Sequence, residues 1–215
     1  MSEINPSVFV PGAESAIHDL ERQSPLVLSH YTWEHYLSLD ELFSGSGVRV
    51  RFLDGYLEIM PPISHDHEKK KIHLGRLLER WCVDRGLELF GSGSATMKKM
   101  GEAGGEPDES YSIGEEKPVP DLVIEVALTS GGLSKRAFYA KWGVPELWIW
   151  REGALEVHVF DRSSGEYNLA KESLLLPEFD LIALAECVQE RSLTRAVASF
   201  TERTTDHERA SGGQE

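Results

Sequence analysis

The hydrophobic and polar positions of this chain change period several times, and each change marks an element. Trp33, Tyr36, Leu37 and Leu42-Phe43 recur at helical spacing behind Thr32, a good N-cap, and Gly45-Ser46-Gly47 ends the run. Alternation with period two follows. Val48 to Leu53 and Tyr56 to Met60 flank Asp54-Gly55, which predicts a hairpin with a two-residue turn, and Pro61-Pro62 stops its second strand. Ser64 then caps a long helix, where Ile72, Leu74, Leu77, Leu78, Trp81 and Cys82 form an apolar stripe opposite basic residues, before Gly86 stops it.

Farther along, Leu87 to Phe90 and Ala95 to Met100 predict short strands, and the Gly-rich acidic stretch Glu102 to Glu106 a loop. Pro107-Asp108 leads into another short segment before the turn at Gly114 to Pro118. The run Pro120-Asp-Leu-Val-Ile-Glu-Val-Ala-Leu128 has the composition of a strand buried on both faces. Ser134 caps a helix through Trp142, and Glu146 to Arg151 with Ala154 to Phe160 predict a second hairpin around Glu152-Gly153. Residues 181–200 read as a last strand and helix. Strand, helix and strand in succession predict an α/β fold, a mixed sheet flanked by helices with an N-terminal hairpin. The expected organisation is a flexible arm over 1–28, one domain over 29–200 and a disordered tail over 201–215.

Composition narrows the functions available. A length of 215 residues suffices for a full core, and no apolar run approaches the roughly 20 residues that cross a bilayer. The N-terminal residues lack the layout of a signal peptide, so a cytoplasmic protein is expected. Cys82 and Cys187 stand far apart without CxxC spacing, as reduced structural thiols would. A net charge of −14 argues against a broad surface for nucleic acid. Local basic clusters remain at Lys69 to Lys71 with Arg76 and Arg80, at Lys98-Lys99, and at Lys135-Arg136 with Lys141. His65, His67 and His73 do not give the i, i+4 pair of a helical zinc site, and no phosphate loop, serine elbow or dinucleotide fingerprint occurs.

Glu125 is the chemically conspicuous residue, a carboxylate inside an apolar strand. Burying it unpaired is costly, so it requires a cation, a set of hydrogen-bond donors or a metal ion. Asp121 shares its strand face but is displaced by roughly 13 Å at ~3.3 Å per residue, too far to share one ion, and reads as a strand-start residue. Asp108 is the better companion, because a neighbouring strand can set it beside Glu125, and two such carboxylates suit Mg²⁺. Tyr139, Trp142, Trp148 and Trp150 read as core aromatics.

The ordered set Pro107-Asp108, Pro120-Asp-Leu-Val-Ile-Glu125-Val, Lys135 with Tyr139, and Gly143-Val-Pro-Glu-Leu-Trp-Ile149 resembles a known family. It is the Uma-two-type "putative restriction endonuclease" family, within the PD-(D/E)xK nuclease superfamily. The likeness takes in the Asp54-Gly55 hairpin, Met60-Pro-Pro and His67-Glu68, and spans about residues 30 to 190. It implies a restriction-endonuclease-like core and hydrolysis of DNA phosphodiesters. Asp108 and Glu125 would hold Mg²⁺, or Mn²⁺, with Glu68 as a further acidic ligand. The superfamily's in-strand lysine position is Ala127 here, and the resemblance supplies Lys135 from the following helix to aid the attacking water. The competing expectation is an inactive member of the fold that serves as a binding module and associates as a homodimer.

Overall fold

Two sheets and five helices account for the regular structure in residues 24–128 and 132–211, which the computed structural model describes, 206–211 as helix backbone alone. In chain order they are β1 (Leu26–Ser29), α1 (Trp33–Leu42), β2 (Arg49–Leu53), β3 (Tyr56–Met60) and α2 (His65–Asp84). Next come β4 (Leu89–Gly91), β5 (Met97–Lys99), β6 (Ala103–Gly105), β7 (Glu109–Ile113) and β8 (Leu122–Ala127). The remainder is α3 (Lys135–Ala140), β9 (Glu146–Arg151), β10 (Ala154–Asp161), β11 (Glu166–Ala170), α4 (Leu181–Val188) and α5 (Leu193–Ser211). One sheet runs β1-β3-β2-β6-β5, all antiparallel. The other runs β11-β10-β9-β8-β7-β4 and is mixed, because β8 and β9 are parallel and α3 lies between them in sequence.

Both predicted hairpins form, and the first shows why. Asp54 and Gly55 have φ of 46° and 86°, the left-handed pair that a two-residue turn needs to match strand twist. Period two then decides what each strand shows to its neighbours. In β2, Val50 and Phe52 pack on Tyr36 of α1, so Arg49, Arg51 and Leu53 take the opposite face. In β8, Leu122, Ile124 and Val126 share a core with Leu74, Leu77 and Leu78 of α2 and Phe200 of α5. Val123 and Ala127 face the other way, toward Leu53, Phe138, Tyr139 and Ile149. Glu125 belongs to that second face. The arginine face of β2 and the acid of β8 therefore meet between the sheets.

Four expectations need correction. Residues 103–105 are a buried strand rather than part of a loop, since a β-carbon at Gly104 would lie 2.5 Å from the Tyr36 ring and only glycine lets β6 approach α1. Residues 181–188 are a helix rather than a strand, started by the Asp180 carboxylate, which accepts from the Ile182 and Ala183 amides at 3.0 and 2.8 Å. Residues 201–211 are not a disordered tail but continue α5, where Phe200 is fully buried and the Thr204 hydroxyl bonds the Phe200 carbonyl. Within the expected arm, Leu26–Ser29 pairs with β3 as an edge strand, and residues 1–23 lie outside those described.

Cys82 and Cys187 are free and buried, and burial pushes the Cys82 thiol up to about 11, so it stays protonated. Among the described residues no helix is long and apolar enough to cross a membrane.

Candidate functional site

Strand register brings the two predicted acids together. Glu109 of β7 pairs with Ile124 of β8, and continuing that antiparallel register by one residue sets Asp108 beside Glu125. Because β7 ends there, the Val126 amide has no strand partner on that side and donates to Asp108 Oδ2 at 2.8 Å. Both carboxylates are almost wholly buried, each 1 % exposed.

Their remaining partners come from β2 and α2, far away in sequence, and from α3, which follows β8 directly. Asp108 Oδ1 accepts from Arg49 Nη1 at 2.7 Å, and His67 Nε2 from the first turn of α2 lies 3.1 Å from Oδ2. Glu125 Oε1 accepts from Arg51 Nη2 at 2.8 Å and from the Tyr139 hydroxyl. Its Oε2 accepts from Lys135 Nζ at 2.5 Å. Arg51 is fully buried, donates also to the Glu106 carbonyl at 3.1 Å, and stacks its guanidinium 4.7 Å over Phe138. Glu58 of β3 approaches the other side of that guanidinium, 3.5 Å from Nη1. Arg49, Arg51 and Lys135 thus face Glu58, Asp108 and Glu125, three cations against three acids.

Burial alone would raise both acids, yet the opposing charges win. His67, Arg49 and Lys135 hold the Asp108 carboxyl well below the ordinary range, and Arg51 and Lys135 lower Glu125. Burial and the Glu125 charge raise the Tyr139 phenol well above its usual value, which keeps it a hydrogen-bond donor. A carboxyl so depressed stabilises the fold above its unfolded value, about 4, and that contribution is lost as pH falls. Asp108→Asn should cost about 2–3 kcal/mol near neutral pH, with the gap to wild type narrowing below about pH 4. Urea midpoints across that range measure it, and a gap independent of pH would refute the assignment.

A cleft of about 630 Å³ opens in front of this cluster. Arg49, Glu58, His67, Lys135, Arg136 and Arg151 are among its walls, while Asp108 and Glu125 lie behind them. The other basic groups are engaged elsewhere: Arg76 with Glu79, Arg80 with Asp84, Lys98 with Asp40 and Lys141 with Asp54. Of the three predicted basic clusters only the third contributes to the cleft, through Lys135 and Arg136 but not Lys141.

Asp108, Glu125 and Lys135 are therefore brought into one cluster, and Glu68 is not. One residue beyond His67 the helix has turned by about 100°, and Glu68 points to solvent, 39 % exposed and 3.9 Å from Lys71. Asp121 does hold the strand start, accepting from the Ile113 amide at 2.8 Å and from Lys117 at 2.7 Å. The expectation that Tyr139 serves only the core missed its bond to Glu125. Arg49, Arg51, Glu58 and His67 were also missed as site residues. The signal for the arginines lay in Val48-Arg-Val-Arg-Phe, where alternation places both on one strand face.

The implied Mg²⁺ requires carboxylate oxygens open to it. Here every oxygen of Asp108 and Glu125 accepts from a protein donor. Among the described residues no group of three His, Cys, Asp or Glu side chains is placed to hold a metal. As arranged, the residues do not fit the ion.

No curated protein matches the chain. A solved structure from Anabaena variabilis, titled "a putative nuclease belonging to DUF820", aligns at 15 % identity over 70 % of this chain and 90 % of that one, with a TM-score of 0.41. Residues 33–196, from the first residue of α1 into α5, match the family described as "Uma2: Putative restriction endonuclease". With most of its length covered by that match, the chain belongs to the Uma2 family.

Proposed function

We propose that the protein hydrolyses phosphodiester bonds in DNA, with Asp108, Glu125 and Lys135 at the reaction centre. The observation that carries this reading is the convergence of Asp108, one residue before β7, and Glu125 of the adjacent β8 with a lysine that reaches both Glu125 and the cleft. In such hydrolysis a water oxygen bonds to phosphorus, an ester oxygen leaves with a proton, and negative charge grows on the phosphate. Lys135 and Arg49, each 19 % exposed on the cleft wall, would meet that charge. Arg136 and Arg151 extend the basic lining for neighbouring phosphates of the backbone. Glu125 and Asp108 act from behind, each holding one of these cations in place.

One observation favours a second reading, an inactive member of the fold that serves as a binding module: the acids are fully satisfied by protein donors. Nicking of supercoiled plasmid separates the two. It would be measured with Mg²⁺, with Mn²⁺ and with a chelator, because the sequence implies the metal and the observed arrangement does not fit it. Wild type should nick the plasmid, and Glu125→Gln or Lys135→Met should lower the rate by about 10²–10³. Equal rates for all three would identify a contaminant. No nicking by folded wild type under any condition would select the binding module.

A further inference from the structure

Glu58 has no place in the reaction just described, yet it is 2 % exposed and its carboxylate touches two parts of the site. Oε1 accepts from the Leu133 amide at 3.1 Å, and Oε2 has no hydrogen-bond partner among the described residues, with Arg51 Nη1 standing off at 3.5 Å. Arg51 passes from Glu58 to Glu125, Glu125 to Lys135, and Lys135 opens α3 only two residues after Leu133. The contacts close a ring from hairpin to strand to helix and back to the hairpin.

Two further features protect that ring. Gly132 has φ of 83°, and a β-carbon there would overlap Glu58 Oε1, so glycine leaves the carboxylate room to reach the Leu133 amide. Ser134 begins α3 by accepting the Ala137 amide at 3.2 Å. The segment is thereby fastened at Leu133 and Ser134, immediately before the lysine.

We propose that Glu58 is a positioning residue, which fixes the start of α3 so that Lys135 is delivered to Glu125 at the cleft wall. Its catalytic consequence rests on the hydrolytic reading; its structural consequence does not. A side chain that merely filled space would be replaceable by any residue of similar size. One that acts through Lys135 must change the state of that lysine.

The test uses the full chain as wild type, Glu58→Gln, Glu58→Ala and Gly132→Ala, the last altering no charge. The first readout is the Lys135 ammonium signal in a ¹H–¹⁵N spectrum, assigned by its loss in Lys135→Met and visible while the ion pair shelters it. The second is hydrogen exchange at the Leu133 amide, and the third is plasmid nicking. Glu58→Ala and Gly132→Ala should lose the ammonium signal, exchange Leu133 about tenfold faster or more, and nick about tenfold more slowly through kcat. Glu58→Gln keeps an acceptor for Leu133 and should recover protection and most of the rate. An unchanged ammonium signal and unchanged Leu133 exchange in both folded variants would overturn the proposal. Absence of nicking by wild type would remove the hydrolytic reading alone, because the two spectroscopic readouts still decide the role of Glu58.

Discussion

Replacing Arg51 by methionine should lower the folding stability by about 3–5 kcal/mol, the usual cost of removing one partner from a buried ion pair. The physical reason is specific to its surroundings. Arg51 is fully buried, and without it Glu125 keeps only Lys135 and Tyr139, while Glu58 loses the only cation that approaches it among the described residues. Methionine fills similar volume and can still pack on Phe138, so the loss measures charge rather than a cavity. Arg51→Lys should fall between, since an ammonium keeps the charge but cannot reach Glu125, Glu58 and the Glu106 carbonyl at once from a single point. Urea denaturation followed by tryptophan fluorescence measures the series. In a Glu125→Gln background the penalty of Arg51→Met should shrink by about 2 kcal/mol or more, the coupling expected of partners in contact. A full penalty in that background would show that Arg51 stabilises the fold by some other route.

Glu146→Ala should also cost about 3–4 kcal/mol, although this acid is remote in role from the cleft. Glu146 opens β9 with its side chain buried, and its pairing differs in kind from that of Glu125. Oε1 accepts the Leu174 and Leu175 amides at 2.5 and 2.9 Å, and Oε2 accepts from Trp148 Nε1 at 3.0 Å and Ser173 Oγ at 2.8 Å. Four donors replace a counter-ion, and the carboxylate fastens the segment after β11 to the centre of the mixed sheet. Alanine leaves those donors without their acceptor, each costing about 1–3 kcal/mol when unsatisfied, less what relaxation of residues 173–175 recovers. Glu146→Gln keeps one acceptor oxygen and should lose roughly half as much. The check is again the urea midpoint, joined by hydrogen exchange at the Leu174 and Leu175 amides. A loss under about 1 kcal/mol with both amides still protected would mean that the segment is held by its apolar contacts, Leu176 and Phe179, instead.

These two acids show how far the chain could be read. At Glu125 the apolar flanks announced that a partner was required but named none, since a guanidinium, a lysine or a metal ion satisfies the same need. At Glu146 the flanking pattern, Gly143-Val-Pro-Glu-Leu-Trp, gave no comparable sign, because the acid sits at a strand start where exposure is ordinary. Its donors arrive from residues 173–175, in a stretch without periodicity. The long helix, both hairpins and the capping residues Thr32, Ser64 and Ser134 were legible because each depends on neighbours within a few positions. The strand at 103–105 was not. Gly104 lies close to Tyr36 and Gly105 to Arg51 and Phe138, contacts made from other elements, and locally the two look like a loop.

What the residue order determines by itself is local: where strands and helices begin and stop, which face of β2 and β8 each side chain takes, and that an acid at 125 cannot stand alone. Tertiary structure alone decided its partner. Arg51 lies 74 positions away on a different sheet, and their approach follows from how the two sheets stack, which no periodicity records. It likewise decided that Asp108 would meet Glu125 while Glu68 would not. A one-residue step along a strand register keeps two carboxylates adjacent, whereas a one-residue step around a helix turns the second side chain away.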